Sequence, residues 1–502
     1  MDFALFINSF SNIFQFNVML AIFIGVAGGI AIGALPGLTG TMGVALLVPF
    51  TFGRPSAEGL GMLIGIFSGS MYGGSISAIL INTPGTPSAA ATSLDGYPLS
   101  KKGQAGRALS MSLFASFSGG MIGVIIMTFM SPIIAKAALE FGYVEYFALA
   151  LFGLSIIISI TNESMIKGLI SGIFGLLIAT IGMDPTSGYP RYTFGRMELL
   201  SGPSFIPVLI GLFAVAEVFN SIENLSTQQK LDTKIDRYLP SLTDIKRSTK
   251  NIIKSSIIGT AIGSIPGAGG DIAAFVAYGE AKRSSKHPEL FGTGEIEAIA
   301  APEAANNACM GGAMIPLLSL GVPGDAITAV LLGAFIMQGL QPGPLLYQEH
   351  IDVVYNVFSS MFIANIVMLI FGIIGIRFFV KVITIKKEIL FPIIFCLCIV
   401  GSFSMRQNIF DIWLSLIFGV IGYLMIRAKF PLSPILLALI LGPMAESNLR
   451  RSLTVSQGDP SILLSRPIAI GLYIIALLSI ISSVIKQKKI RKRLESQSQE
   501  KL

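Results

Sequence analysis

Three stretches of this chain, Ala108–Ser131, Val353–Ile376 and Pro467–Ile485, run without a single charged residue. Each approaches or exceeds the ~20 residues a helix needs to cross bilayer hydrocarbon. Lipid offers no partner to backbone N–H and C=O groups, so a chain carrying such runs satisfies them internally, in helices. Of the 502 residues, 53% are hydrophobic and 13% charged, with a mean hydropathy of +0.75. Soluble domains carry about 25% charge. The expected class is an all-α polytopic membrane protein of about 10–14 membrane segments. Further apolar segments are read at Asn17–Leu35, Thr41–Phe52, Gly59–Ile81, Tyr146–Ile160, Gly168–Gly182, Ser204–Ser221, Ile252–Ile265, Ala298–Leu320, Ile389–Phe403, Ile412–Ile426 and Pro431–Ala445. Residues Phe3–Phe16 read as an aromatic, mildly amphipathic stretch for the interface.

Other classes are poorly served. Cys309, Cys396 and Cys398 lie in apolar surroundings and form no disulfide framework or metal cluster, and His287 and His350 are too few for a His-rich metal site. The net charge of +7 gathers in short hydrophilic loops, where it reports topology rather than nucleic-acid binding. No signal peptide is expected, because the first basic residue is Arg54. There is no H-E-x-x-H, G-x-S-x-G or P-loop pattern.

The apolar segments are interrupted in a repeated way. Ile32–Gly40 and Ile262–Gly270 both read I-G-x-x-P-G-x-x-G, 230 residues apart (266 − 36). A second interruption follows each: Asn82-Thr83-Pro84-Gly85-Thr86-Pro87-Ser88 and Gly321-Val322-Pro323-Gly324-Asp325. Between them lie Tyr72-Gly73-Gly74-Ser75 and Met310-Gly311-Gly312-Ala313, 238 apart (311 − 73). Proline removes a backbone donor and biases the preceding residue away from helix. Two diverged copies with matched interruptions are the sequence pointer to a secondary-transporter site built from discontinuous helices or re-entrant hairpins.

Charge orients the copies. The loop after the second interruption carries Lys101, Lys102 and Arg107 in copy one, whereas Gln338–Asp352 has Glu349 and Asp352 and no Lys or Arg. The positive-inside tendency puts the first loop in the cytoplasm and the second outside. Counting spans then brings the linker with Lys230, Lys234, Arg237, Lys246, Arg247, Lys250 and Lys254, and the tail from Lys486 to Arg493, to the cytoplasm. The expected organisation is an N-terminal membrane repeat at 1–225, a basic linker at 226–256, an inverted repeat at 257–485 and a cytoplasmic tail at 486–502.

A helix that stops within the membrane leaves N–H groups at the next half-helix start. That end carries about half a positive charge and suits carboxylates; carbonyls at the opposite ends suit Na⁺. The expected substrate-binding residues are Pro36, Gly37, Thr39, Gly40, Thr41, Asn82, Thr83, Pro84, Gly85, Thr86, Ser88, Pro266, Gly267, Gly269, Gly270, Asn306, Asn307, Pro323 and Gly324. A single Pro-Gly interruption is as well explained by a kink or a close helix crossing; four in matched pairs point to a site. Asp271, Asp325 and Glu303 are the expected coupling-ion residues, since an ionisable group within a span costs ~2.5–3.5 kcal/mol to insert and marks ion or proton paths. For the two aspartates, capping of the next half-helix stands beside that reading. For Glu303 with Asn307, four residues on, cavity lining stands beside an interhelical hydrogen bond. The polar insertion Glu280–Glu297 reads as a solvated loop. Arg450 and Arg451, near Glu446, read either as contacts for an anionic substrate or partner or as interfacial anchors.

Gly33–Gly40, Tyr72–Ser75, Asn82–Gly85, Asp95-Gly96-Tyr97-Pro98, Pro266–Gly269 and Pro302–Ala308 together resemble the TctA family, the large membrane subunit of bacterial tripartite tricarboxylate transporters. The resemblance runs from about residue 17 to about residue 455. It implies a small TctB-type membrane subunit, a periplasmic TctC-type binding protein, and import of carboxylates such as citrate across the bacterial inner membrane. It implies no ATP and no cofactor beyond a coupling ion, Na⁺ or H⁺, and no enzymatic activity. A stand-alone organic-anion exporter or channel, and an intramembrane hydrolase using Asp271 or Asp325, are the alternative readings.

Overall fold

The computed structural model of the chain describes residues 3–160, 165–184, 187–223, 239–383, 385, 387–404, 406–478 and 480–481. The basic tail, and Lys230, Lys234 and Arg237 of the linker, lie outside the described residues. The described residues are almost wholly helical, and six helical segments are long and apolar enough to cross a membrane. The chain is an all-α polytopic membrane protein, as its apolar runs require.

In chain order, α1 (Phe3–Ile13) precedes α2 (Phe16–Ala34), α3 (Gly40–Thr51), α4 (Ser56–Ile81) and α5 (Ala90–Leu99). A kink at Gly103 leads into α6 (Ala105–Ala138), followed by α7 (Tyr143–Ile160) and α8 (Met165–Ala179). A two-residue antiparallel ladder, β1 (Gly182–Met183) with β2 (Pro190–Arg191), comes next. Then α9 (Phe205–Leu209) and α10 (Ala216–Glu223) form one helix through a π-helical stretch, Ile210–Val215. The second half holds α11 (Leu242–Gly263), α12 (Gly269–Ser284), α13 (Ile296–Leu320), α14 (Ala326–Met337), α15 (Pro344–Glu349) and α16 (Ile351–Val382). It continues through α17 (Lys387–Ser404), α18 (Ile409–Arg427) and α19 (Ser433–Val455). A last apolar helix covers Pro467–Leu478.

By internal packing the chain forms two compact units, one of Met1–Leu139 with Ile206–Tyr423, the other of Glu140–Phe205 with Leu424–Leu502. The first unit contains every interruption. Its centre is two helix pairs, α2 with α4 and α11 with α13. Both α4 and α13 are buried along almost their whole length, the signature of a helix with no polar face to turn to solvent. Small residues set the spacing: a Cβ on Gly29 would stand 2.8 Å from Ile66 Cα. Among lipids, where burial of apolar surface does not drive association, this close contact is the main cohesion between helices. The copies interlock, because α6 packs on α11 and α13 while α16 packs on α2 and α4. Phe6 of α1 meets Phe362 of α16 edge-on and Phe10 meets it tilted, and Ser9 shares a 2.5 Å hydrogen bond with Ser359.

The two long helices report on the loops between copies. Arg107, at the start of α6, forms a bidentate ion pair with Asp244 of α11 (3.0 and 2.6 Å). Ser131, near the other end of α6, meets Tyr347 of α15 at 2.5 Å. The two contacts are 24 residues apart (131 − 107), roughly 36 Å along a helix, and the hydrocarbon core is about 30 Å thick. The 101–107 loop and the 338–352 loop therefore touch opposite ends of α6.

Two segments differ from the sequence expectation. Residues 242–254, read as linker, are the first half of α11, capped by Ser241 accepting from Asp244 N (3.1 Å). Their charges are engaged: Arg247 pairs with Glu295 (3.0 Å) and Glu297 (2.8 Å), and Lys254 pairs with Glu280. The insertion at Glu280–Glu297 is exposed over most of Lys282–Leu290, as expected of a solvated loop, and differs only in being anchored at both ends. It begins as the last turn of α12, and Phe291 is buried against Ala281, Ala298 and Ala301.

The second unit is built on α7, α8 and α19, with Val144, Ala148 and Ala469 at one contact. Arg450 is taken up within it by Asp184 (3.0 Å) and Glu446 (2.8 Å), and Arg191 bridges Glu446 through two bonds of 2.7 and 3.2 Å. Arg451 lies 5.6 Å above the Tyr143 ring.

Candidate functional site: four interrupted helices

Pro36 and Pro266 occupy the second position of two turns of one kind. Leu38 N donates to Leu35 O at 3.1 Å, and Ala268 N donates to Ile265 O at 3.1 Å. The third positions, Gly37 (φ +93°) and Gly267 (φ +79°), take the left-handed backbone that a type II turn demands and that only glycine adopts freely. Each turn ends one apolar helix, α2 or α11, and starts another, α3 or α12. Thr39 caps α3, accepting from Met42 N at 3.2 Å. No side chain caps α12, whose first turn carries Asp271.

The second interruptions also match. Helix α4 stops at Asn82 (φ +54°) and α13 at Gly321 (φ +72°), both left-handed C-caps. In copy one, Gly85 N donates to Gly74 O (3.2 Å), Gly85 lies directly against the Gly33 carbonyl, and Thr86 Oγ1 and Ser88 Oγ are 3.2 Å apart. In copy two, Gly267 N donates to Gly324 O (2.6 Å), joining the two interruptions through the backbone, and Pro323 and Gly324 are buried. Asp325 caps α14 in a reciprocal box: its carboxylate accepts from Thr328 N (2.7 Å) while Thr328 Oγ1 accepts from Asp325 N (2.8 Å). The capping role expected of Asp325 is thus filled.

All four interruptions meet in the first unit. Gly40 packs on Ile327 of α14: a Cβ there would be 2.8 Å from Ile327 Cδ1. Gly270 packs between Asn306 Oδ1 and Ser88 Cβ, at 2.6 and 3.7 Å from the same construction. Thr41, Thr86 and Ser88 are buried; Asn82 and Thr83 are exposed, with the Thr83 hydroxyl bonded back to Ile81 O (3.3 Å). Pro84 is partly buried at the same turn, and Gly269 stands beside the Asp271 carboxylate.

Glu303 is wholly buried and meets hydroxyls of neighbouring helices rather than solvent. Asn306 and Asn307 follow it within one turn. Asn306 donates to Met71 O (3.4 Å) and Asn307 to Glu303 O (3.1 Å), and the Oδ1 atom of each is buried without a partner.

Two further acids stand out: Asp95, named above only within the motif Asp95–Pro98, and Glu217, which no sequence motif contains. Asp95 on α5 is fully buried and accepts from Gly292 N (2.9 Å), Gly294 N (2.8 Å), Glu295 N (2.9 Å) and Tyr278 OH (2.9 Å). It locks the loop before α13 onto copy one. Glu217 on α10 stands beside the first interruption, its Oε1 and Ser221 Oγ each 3.4 Å from a Cβ built on Gly37, and it accepts from Ser221 at 2.9 Å. Its signal in the sequence is an acid within the apolar run Ser204–Ser221. Together the four half-helix starts offer N–H groups, hydroxyls and carboxylates to small ions of either sign.

Comparison with known proteins agrees with this architecture. A model of the "Tripartite tricarboxylate transporter TctA family" matches residues 19–437. An Agrobacterium vitis protein described as "Uncharacterized 52.8 kDa protein in TAR-I ttuC' 3'region" is 38% identical over 463 residues, covering 92% of each chain. Another from that organism, "Uncharacterized protein in TAR-II ttuC' 3'region", is 37% identical over 227 residues, 45% of this chain and 94% of its own length. A chain with these interrupted helices, matched over most of its length, belongs to the tripartite tricarboxylate transporter TctA family.

Proposed function

We propose that this chain is the large permease subunit of an importer that carries carboxylates, citrate or related organic acids, across the bacterial inner membrane. A periplasmic TctC-type protein delivers the substrate, a small TctB-type subunit completes the membrane complex, and a Na⁺ or H⁺ gradient drives uptake. The observation that carries this reading is the meeting of four half-helix starts in one compact unit. Family membership supports the transport class.

In this reading the substrate carboxylates accept N–H groups and hydroxyls from Thr39–Thr41 and Thr86–Ser88. There the helix ends are not already neutralised by an acid of their own. The coupling cation belongs with the acids of copy two, Asp271, Asp325 and Glu303. The contacts at opposite ends of α6 support an inverted arrangement of the copies, with 101–107 in the cytoplasm and 338–352 outside. The cytoplasmic tail follows from the same assignment.

The test is uptake of labelled di- and tricarboxylates into proteoliposomes containing both membrane subunits, with binding protein outside and an imposed Na⁺ or H⁺ gradient. Uptake requires both additions, and Thr86→Val or Gly269→Leu lowers it by about tenfold or more, the effect of one lost 1.4 kcal/mol interaction. Unchanged uptake in both variants removes the site assignment. Uptake needing neither binding protein nor gradient turns the reading to a stand-alone exporter or channel. Cysteines at 102 and 345 labelling from the same side remove the inversion.

A further inference from the structure

Glu303 lies in the middle of α13 with none of its surface exposed. One carboxylate oxygen accepts from Thr92 Oγ1 on α5, the other from Ser116 Oγ on α6 at 2.8 Å. Ser112, one turn before Ser116, and Ser75 on α4 share a hydrogen bond of 2.7 Å, and Ser75 also donates to Tyr72 O at 2.7 Å. Tyr72, one turn before Ser75, is fully buried, and its hydroxyl has no hydrogen-bond partner among the described residues. Two hydroxyls from two helices thus hold one carboxylate, with the Ser75–Ser112 pair one turn along α6.

Among the described residues, no basic side chain is paired with Glu303. On α4, Glu58 is paired with Arg54. On α5, Asp95 is taken by loop amides. On α6, Arg107 binds Asp244, and Lys136 lies 20 residues beyond Ser116 (136 − 116), at the far end. The remaining acids of α13, Glu295 and Glu297, are held by Arg247. The basic residues of α11 sit in its polar first half and those of α12 in its last turn. A fully buried carboxylate without a cation is costly, whereas hydroxyls can turn their O–H bonds aside and present lone pairs. Hard cations take such all-oxygen shells.

We propose that Glu303, with the hydroxyls of Thr92 and Ser116 and the adjacent Ser75–Ser112 pair, forms a sodium site inside the membrane. Sodium neutralises the carboxylate and ties α13 of copy two to α4, α5 and α6, so occupancy bears directly on how the copies pack. This deepens the proposed cation coupling, yet cation binding can be measured without any substrate.

The experiment uses the full-length chain in detergent. Thermal unfolding is followed in NaCl against choline chloride at constant ionic strength, together with binding of labelled Na⁺. Wild type is stabilised by Na⁺. Glu303→Gln melts at or above the wild-type temperature in choline, because the uncompensated buried charge is gone, and loses both the Na⁺ shift and the binding. Ser116→Ala raises the half-saturating Na⁺ concentration about tenfold, the effect of one lost ligand interaction. A Na⁺ response that survives in Glu303→Gln overturns the site, because glutamine keeps the shape and one acceptor oxygen, turns the other bond into a donated one, and removes the charge. A wild type that responds to pH and not to Na⁺ overturns it in favour of a proton. Should Glu303→Gln fail to fold, Ser112→Ala and Ser116→Ala carry the same measurement, and an unchanged Na⁺ response in both sinks the proposal. A Na⁺ response without carboxylate uptake in proteoliposomes faults the transport reading and leaves the cation site standing.

Discussion

The first interruptions of the two copies share a backbone and differ in charge. Both use Pro then Gly in a turn closed by a 3.1 Å hydrogen bond, and both restart as a helix. In copy one the restart is capped by the neutral Thr39; in copy two the first turn of α12 carries Asp271, and α14 is capped by Asp325. A helix start worth about half a positive charge stays available to an anion under a threonine and is compensated under an aspartate. One chain design therefore yields ends of opposite electrostatic character. Glu217 qualifies the contrast: an acid does reach the first interruption of copy one, but from α10, beside Gly37.

Substitutions can break or sharpen this comparison. The largest effect is expected where the shared backbone leaves no room. Gly85→Leu collides with the Gly33 carbonyl and Gly324→Leu with Ala313; each should abolish uptake and lower stability by about 3 kcal/mol or more. If only one of the pair is damaging, by size-exclusion and thermal unfolding, the two copies do not share a backbone requirement. Asp95→Ala comes next. It strips acceptors from the amides of Gly292, Gly294 and Glu295, a loss of about 1.5–3 kcal/mol, and no acid on α14 performs a like task. Retained stability in a denaturant melt would mean water replaces the carboxylate. The caps follow: Asp325→Ala should cost about 1–2 kcal/mol and Thr39→Ala about 0.5–1 kcal/mol. A reversed order would contradict the stronger, reciprocal cap assigned to copy two. The smallest change belongs to Thr83→Val, whose side chain is exposed. Stability should move by less than about 0.5 kcal/mol, while KM for the carboxylate rises up to about tenfold if that hydroxyl meets substrate. An unaltered KM takes Thr83 out of the site.

The interruptions were legible because Pro, Gly and Asn punctuate helices by local rules, and those rules give the same ends in the structure: Asn82, Gly321 and the two Pro-Gly turns. Asp95 was not legible as a lock. Its partners are backbone amides 197 to 200 residues away, and an amide carries no residue identity. The start of α11 was read as linker because its face is polar, yet that polarity is spent on Asp244, Arg247 and Lys254, whose partners lie on other elements. The short helices α5 and α14 lie outside the apolar segments read from the sequence: α5 carries Asp95, Gly96 and Pro98, and α14 follows directly on the Gly321–Asp325 interruption.

By itself, then, the sequence determined the membrane class, the places where helices break and the residue types offered there. Each follows from local terms: apolar run length, missing donors at proline, and the conformational freedom of glycine. Tertiary structure alone decided which breaks meet. It also decided that Asp325 caps α14, and that Glu303 collects hydroxyls from α5 and α6. Those outcomes depend on packing between helices far apart in the chain. The small residues that permit such packing let backbones approach closely, but their pattern does not specify which partner will come.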